Sequence, residues 1–548
     1  MRRTGFIFWL LSFLLSLAQA QAPAIESWDR RFGGTNGDGV LAVFATYDGG
    51  VLLGGASRSN ISGNKTQANW DVAMHSADFW VVKIDANGSK EWDKRFGGTS
   101  DDAINSICAT TDHGYILGGT SASGIGGDKT EACWGGCDFW VVKIDSAGNK
   151  QWDKRFGGTL NDILTSVQQT KDGGYIMGGY SNSPVSGDKT QPNWDVSNFD
   201  DDYWVVKIDS HGNKQWDKRF GGLQEDGLIS MYQTYDGGYM LAGSSHSGQS
   251  GDISDTSYGN FDYWVVKIDS LGNKEWDKRY GGTADDELAG MLALPDSGYI
   301  LAGTSSSGIG GNKTSLGCGN DEYWAVKINA LGVVKWDKAY GGLQDDDLRS
   351  IAQTKDNGML MAGFSDSHPS CDKTEANLGY SQSWIIKTDS AGNKQWDKTI
   401  FTLGFGELEG YATETSDGCY VIANSSTAAV GGYKTQTPWD TIGDYWAVKF
   451  CFEGTPERIN NLPDTKLSLS IYPNPFNSEL DITLTQQNLH SAAVIITNIL
   501  GQTIYTQHET NLSPTYTTML DLSYLPNGVY FLEVVADGER MVREVVKQ

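Results

Sequence analysis

Short apolar runs and glycine-rich polar turns alternate along most of this chain, and the alternation recurs with a long period. In one representative stretch, Thr165 to Thr170, Tyr175 to Ser181, Tyr203 to Asp209 and Lys214 to Phe220 each read as a strand, rich in β-branched and aromatic residues. Lys171-Asp172-Gly173-Gly174 and Ser210-His211-Gly212-Asn213 separate them and supply the residues that tight hairpin turns need. A longer polar loop, through Ser186-Gly187-Asp188-Lys189-Thr190, joins the second run to the third. No run shows a helical period. The expected unit is four antiparallel strands, lettered A to D.

The unit repeats seven times. Trp28, Trp92, Trp152, Trp216, Trp276, Trp336 and Trp396 each open a W-D-[KR] segment, at spacings of 64, 60, 64, 60, 60 and 60 residues. A second series keeps step at Trp80, Trp140, Trp204, Trp264, Trp324, Trp384 and Trp446. Self-similarity of this length marks solenoids or propellers, and four strands per unit marks a propeller blade. The first W-D-[KR] strand, residues 27–32, precedes any A strand, and the last C strand, Tyr445 to Phe450, has no D strand after it. The N-terminal strand is therefore expected to complete the last blade, which removes two open sheet edges. The predicted fold is all-β: a seven-bladed β-propeller over residues 21–452, then a small C-terminal β-sandwich.

The tail differs. A polar, proline-containing linker over 453–466 leads to alternating runs punctuated by Gly501 and Pro526-Asn527-Gly528, a small all-β pattern. Tyr472-Pro473-Asn474-Pro475-Phe476, Asn498-Ile499-Leu500-Gly501-Gln502, Leu525-Pro526-Asn527-Gly528-Val529-Tyr530 and the final basic Lys547 follow in order. This series resembles the type A C-terminal sorting domain of the type IX secretion system of Bacteroidota, over 467–548. The resemblance implies outer-membrane translocation by that machinery, often with removal of the domain, and release or attachment at the cell surface. The repeats resemble those of exported proteins with no assigned chemistry.

Charge and the N-terminus fit export. The formal net charge is −26, which disfavours a nucleic-acid partner, because phosphate binding needs clustered Lys and Arg. Arg2 and Arg3, an apolar run from Phe6 to Leu17 and the small residues of Ala18-Gln19-Ala20 read as a signal peptide over 1–20. No later run is apolar enough to span a bilayer. Seven cysteines are few for 548 residues. Cys133 with Cys137, in one loop, and Cys419 with Cys451, on adjacent strands, are the candidate disulfides.

Residues repeated in every blade answer a demand that every blade shares, so the Trp and Asp of W-D-K are read as scaffold. The B–C and D–A loops should share one face. Trp70, Trp134, Trp194 and Trp439 lie in the former, and Asp102, Asp162, Asp226, Asp286 and Asp346 end the latter. Carboxylates beside aromatic rings suit contact with a glycan or a protein loop. The alternative reading is capping of turns by the Asp side chains and packing of the Trp rings over blade tops. The seven His are scattered, and no nucleophile elbow, phosphate loop or dinucleotide fingerprint occurs. No metal or cofactor is expected; calcium, which oxygen-rich loops suit, is the alternative. The leading expectation is a non-enzymatic binding protein, secreted or on the cell surface. The second is a secreted glycosidase or lyase with acids near the propeller axis.

Overall fold

A computed structural model describes residues 24–377, 379–402, 410–452, 468–472, 476–485, 490–498, 502–510, 512–513, 515–536 and 539–547. The expected signal peptide and linker lie outside the described residues. The chain divides into two compact units, Met1–Pro456 and Glu457–Gln548.

The first unit is a ring of seven four-stranded antiparallel sheets. Blade 1 comprises strand A (Asp38–Ala45), B (Val51–Ser57), C (Asp78–Ile84) and D (Lys90–Phe96). Blades 2 to 6 repeat this order over 102–156, 162–220, 226–280, 286–340 and 346–400. In blade 7 the strands Tyr411–Glu414, Tyr420–Ser426 and Asp444–Phe452 are completed by Ala24–Phe32. That strand pairs antiparallel with the last C strand, in a register running from Ala24 opposite Phe452 to Phe32 opposite Tyr445. The sequence expectation of ring closure is met.

Sequence explains the layering. Strand C of blade 1 is buried over its whole length, because neighbouring blades cover both its faces, hence the apolar F-W-V-V run, with the buried Lys83 that follows paired to Asp48 and Glu91. Strand D lies at the rim and is mostly half-buried, with Asp93 and Phe96 buried and Glu91 exposed. The Gly-Gly pair of strand B serves two approaches. A Cβ on Gly179 would fall 1.9 Å from the Ile163 carbonyl oxygen within the blade, and one on Gly178 would fall 2.5 Å from Leu228 of the next blade.

Aromatic stacking seals the blades together. Phe79, Phe139, Tyr203, Tyr263, Tyr323 and Tyr445 each lie against the strand-C Trp of the following blade, with ring centroids 4.6–5.1 Å apart. The four Tyr hydroxyls also donate to that Trp's carbonyl oxygen at 3.0–3.1 Å. Burial of a side chain this large removes about 200 Å² from water, worth roughly 5 kcal/mol before ordering costs. At the remaining junction Ser383 replaces the ring, and Asn424 Nδ2 donates to its hydroxyl at 2.9 Å.

The second unit has a three-stranded sheet (Ser468–Tyr472, Glu479–Thr485, Thr515–Asp521) and a four-stranded sheet (Thr503–Thr510, Ser491–Asn498, Gly528–Ala536, Glu539–Lys547). Leu480, Ile482, Leu484, Val494, Ile496, Leu532 and Val534 form one core between them.

Candidate functional site

The D–A turns and B–C loops do share a face. Asn64 N–H donates to the Gly33 carbonyl at 2.9 Å, and Thr35 N–H to Ser62 Oγ at 3.0 Å. Its foundation is the W-D-K aspartate. In all seven blades this carboxylate accepts the strand-C Trp Nε1–H at 3.1–3.2 Å. It also accepts the backbone N–H of the B–C loop Thr, or of Ser254 in blade 4, at 2.8–3.0 Å. One buried carboxylate thus ties strand C, strand D and the loop above them.

The five D–A aspartates proposed as ligand contacts are buried beneath this face. Asp102 Oδ2 accepts from Gly98 N–H at 2.8 Å and Ser123 Oγ–H at 2.9 Å. Asp162, Asp226, Asp286 and Asp346 repeat the arrangement with their own Gly and Ser partners. They cap turns, and the reading of them as contact residues is corrected. Each also faces the first strand-C carboxylate of the preceding blade across a glycine. A Cβ on Gly97 would lie 2.2 Å from Asp78 Oδ1 and 2.9 Å from Asp102 Oδ2. One on Gly221 would lie 2.0 Å from Asp202 Oδ1 and 2.9 Å from Asp226 Oδ2. Burial, with repulsion from the facing acid, pushes Asp78 up to about 7 and Asp202 up to about 8.

Trp70, Trp134, Trp194 and Trp439 are 38–55 % exposed, yet each is engaged. An Arg of the same blade's strand D lies over each ring, at 4.4 Å for Arg95 on Trp70, 5.0 Å for Arg155 on Trp134, 4.6 Å for Arg219 on Trp194 and 4.0 Å for Arg31 on Trp439. Each ring also abuts the left-handed glycine of the next blade's loop: Gly127, Gly187, Gly251 and Gly63 in turn. Trp70 and Trp194 donate Nε1–H to the following Asp128 and Asp252 at 2.9 Å. These rings staple one blade to the next.

A disulfide that the sequence reading did not anticipate replaces one staple. Cys318 occupies the Trp position of blade 5 and Cys371 the glycine position of blade 6, at φ +50°, and the two are bonded. Its Arg partner is gone too, since Ala339 stands there. The signal lay in the repeat: two touching positions change to Cys together. Cys419 and Cys451 are also bonded, with Cα atoms 4.5 Å apart. The proposed Cys133–Cys137 bond is absent, and both thiols are free. Cys133 fills the slot that Asn193 holds in blade 3. Its Sγ–H turns inward to the Ser121 carbonyl at 2.8 Å, as Asn193 Nδ2 turns to Ser181 at 2.8 Å. Removing the blade 5–6 bond with Cys318→Ser and Cys371→Gly should cost about 2–4 kcal/mol. Cys318→Trp with Cys371→Gly should regain part of that. Thermal melting of the three proteins checks this, and equal melting points would contradict it.

Two features are not repeated. Four extra residues lengthen the B–C loops of blades 1 and 3. In blade 3 Asp195 accepts the N–H of Ser197, Phe199 and Asp200 at 2.9–3.2 Å and the Ser197 hydroxyl at 2.6 Å, which locks the loop. Val196 and Phe199 project from it, 91 % and 86 % exposed. In blade 1 Asp71 plays the same part below Val72. On the axis, the A strands enclose a cavity of about 560 Å³, lined by Phe44, Asn105, Cys108, Gln168, Tyr232 and Arg349 among others, with no carboxylate among its lining residues. Beside Arg349, Asp347 is pushed up to about 6 by burial and by Asp321, Asp345 and Glu287, against the Arg349 charge. Among the described residues no group of three or more His, Cys, Asp or Glu is placed to hold a metal, and no helix is long and apolar enough to cross a membrane.

In the second unit Pro473, Asn474, Pro475 and Gly501 of the sorting motif lie outside the described residues. Tyr472 ends the first strand and Gly528 opens the Gly528–Ala536 strand. Tyr530 donates its hydroxyl to the Pro526 carbonyl at 2.7 Å. Lys547 is buried, with Nζ 5.5 Å from the Phe476 ring centroid.

Residues 470–548 match the family described as secretion system C-terminal sorting domain. They are a type IX sorting domain, and the chain is a secreted or cell-surface protein whose tail engages that machinery. A 231-residue segment, 41 % of this chain, is 24 % identical to the regulatory protein FlaEY of Caulobacter vibrioides, and the match covers 24 % of that protein. The chain thus spans about a quarter of that relative's length. The solved structure of YCF48 bound to D1 peptide is 10 % identical over 81 % of this chain and 100 % of its own, at a TM-score of 0.35. A glycoside hydrolase of family 32 from Bifidobacterium adolescentis is 9 % identical over 95 % of each chain, at a TM-score of 0.25.

Proposed function

We propose that this exported chain is a non-enzymatic binding protein whose loop face holds a protein partner, with Val72, Val196 and Phe199 as anchors. The observation that carries this reading is the blade 3 insertion. A Val and a Phe stand almost wholly in water on a loop that Asp195 has already ordered. Exposed apolar groups on a rigid loop gain affinity because little ordering entropy remains to be lost on binding. Aromatic side chains are also frequent anchors of protein interfaces. The insertions depart from the repeat, so the demand they answer is not one that every blade shares. Glycan stacking has less support, since the four loop Trp rings already carry guanidinium groups. Signal-peptide cleavage after Ala20 would leave the closing strand Ala24–Phe32 intact.

The test is a photo-crosslinking residue at position 199 of the full chain, displayed by the producing cell. A discrete protein adduct is expected. Val196→Ser with Phe199→Ser should weaken capture of that protein by about tenfold or more, with no change in melting. Polysaccharide hydrolysis abolished by Glu287→Gln or Asp347→Asn would instead establish the carbohydrate-active alternative.

A further inference from the structure

The blade junctions on the loop face follow a charge rule that one blade breaks. In blades 1, 2 and 3 the strand-D Arg lies between two carboxylates. One opens strand C of the same blade: Asp78, Asp138 or Asp202, at 3.5–3.9 Å. The other sits in the next blade's loop: Asp128, Asp188 or Asp252, at 2.5–3.1 Å. The planar guanidinium thus bridges two blades, as its forked donors suit.

Elsewhere the acids change when the Arg does. In blade 6 Thr399 takes the Arg position, Gln382 opens strand C and Tyr433 fills the facing loop position. In blade 4 Arg279 turns inward to Asp262 at 3.1 Å, and the facing loop residue is neutral: Asn312, whose Oδ1 accepts Gly281 N–H at 2.9 Å. Blade 5 departs from this. Ala339 replaces the Arg, yet both acids remain, as Glu322 and Asp372. They line a pocket of about 240 Å³ beside Ala339 and the bonded Cys318 and Cys371.

Neither acid has found a cation within the chain. Glu322 is only 2 % exposed. Its Oε1 accepts the N–H of Gly319 at 2.7 Å and that of Cys318, while its buried Oε2 has no partner. Asp372 receives Gly341 N–H at a long 3.4 Å. Two nearby lysines bond elsewhere. Lys313 Nζ donates to Ser305 Oγ at 2.6 Å and to the Ser307 carbonyl at 2.7 Å. Lys394 Nζ pairs with Asp397 at 2.9 Å and holds the Asp372 backbone carbonyl, not its carboxylate. Burial, and then repulsion from Asp346 and Asp372 against the Lys313 charge, raise the Glu322 carboxyl above its usual range. A buried carboxylate without a partner is costly, and a cation entering the pocket would remove that cost.

We infer that the blade 5 pocket binds a guanidinium group from outside the chain, held between Glu322 and Asp372. The two acids occupy the positions that a guanidinium spans in blades 1 to 3. A metal ion has less to hold it, since among the described residues no third acid, His or Cys joins them as a ligand group. The pocket lies below the roughly 300 Å³ at which drug-sized sites begin, so it suits the end of an arginine side chain or a small guanidinium solute. The inference stands apart from the Val196 and Phe199 anchors, which lie in blade 3.

The experiment is ligand-observed NMR on the purified full chain, with methylguanidinium as the probe. Saturation transfer to its methyl signal is expected with the parent protein. Affinity should fall by about tenfold or more in Glu322→Gln, which removes the charge and keeps the shape. Ala339→Arg supplies the missing guanidinium from within the chain and should abolish probe binding. Melting of each variant reports folding; if Glu322→Gln melts early, Asp372→Asn repeats the measurement with Glu322 kept. N-acetyl-arginine amide identifies the source. Binding of both compounds supports an arginine presented by a protein partner, and binding of methylguanidinium alone supports a small solute. Equal signals from the parent, Glu322→Gln and Ala339→Arg overturn the inference. So does displacement of the probe by calcium at lower concentration than by either guanidinium compound, which would assign the two acids to a metal.

Discussion

Asp29→Ala should destabilise the propeller by about 3–6 kcal/mol, because the buried Trp446 Nε1–H and both Thr435 donors lose their acceptor at once. Asp29 Oδ2 accepts Trp446 Nε1–H at 3.2 Å and Thr435 N–H at 3.0 Å, and Oδ1 accepts the Thr435 hydroxyl at 2.6 Å. The carboxylate is only 3 % exposed, so water does not readily replace it. Asp153→Ala is the informative comparison. It removes the same Trp and loop N–H bonds in blade 2, at 3.2 and 2.9 Å, together with the Lys150 pair at 2.8 Å. All of those bonds lie within a single continuous blade. Those of Asp29 join residues 406 and 417 positions apart and hold the two ends of the ring together. The two variants should therefore lose similar stability but fail differently. Asp153→Ala should unfold in one step. Asp29→Ala should first release Ala24–Phe32 and expose Asp444–Phe452 as an edge strand, which invites association. Amide exchange over 444–452, read beside calorimetry, separates these outcomes. Unchanged protection there in Asp29→Ala would mean that the N-terminal strand does not depend on this carboxylate to close the ring.

The ring was legible because its signals are periodic and long. Two Trp series in step set the blade, and a leftover D strand at one end with a missing one at the other set the closure. The site was less legible, for local reasons. The D–A acids come as adjacent pairs, Asp101-Asp102 among them, and sequence proximity makes them look alike. Strand geometry separates them. Ile104 is buried, and Asp102 shares its face two positions earlier, so Asp102 points inward while Asp101 stays outside. The apolar residue two positions on was the available signal. The loop Trp residues looked like free rings because their Arg partners lie on strand D, 21 to 25 positions away in blades 1 to 3 and 408 positions away for Trp439 and Arg31. Their joint presence in blades 1, 2, 3 and 7, and joint absence from blade 5, carried the pairing. Arg279 marks an exception with its own logic. Blade 4 has Ile253 where blades 1 to 3 otherwise place the buried loop Lys, and Arg279 leaves the rim to bond Asp262 at 3.1 Å and Ser245 at 2.8 Å in that Lys's stead. The insertions gave no chemical motif at all. Only the 64-residue spacings marked them, and the exposure of Phe199 gives those extra residues their meaning.

Stability of the propeller should fall as pH rises from about 5 to about 8. The facing carboxylates at the blade junctions decide the sign. Burial is the first cause throughout, and it pushes Asp38 and Asp138 up to about 6, Asp78, Asp226 and Asp444 up to about 7, and Asp202 up to about 8. The unfolded chain ionises these groups near 4, so between about 4 and 8 the folded state binds more protons than the unfolded one. Raising the pH through that window therefore favours unfolding. Two other sets act outside it. Asp93, Asp153 and Asp217 are held below the ordinary range, despite burial, by Lys, loop N–H and Trp donors, and their stabilisation is lost only as pH falls below about 4. Lys65, Lys189 and Lys373 are pushed down to about 8 by burial, and their cost is relieved only as pH rises beyond that value. A roughly tenfold gain in proton affinity on folding, at each of three junctions, already amounts to about 4 kcal/mol, enough to move the melting point by several degrees. Melting should thus be highest near pH 5. Asp202→Asn keeps an acceptor for the Trp194 N–H, now at 2.8 Å from the carboxylate, while removing the charge that faces Asp226. It should flatten the decline between pH 5 and 8 and raise the melting point at pH 8. A melting point that climbs over this range in the parent protein, or an Asp202→Asn profile parallel to it, would show that the junction acids ionise in the folded state at no cost.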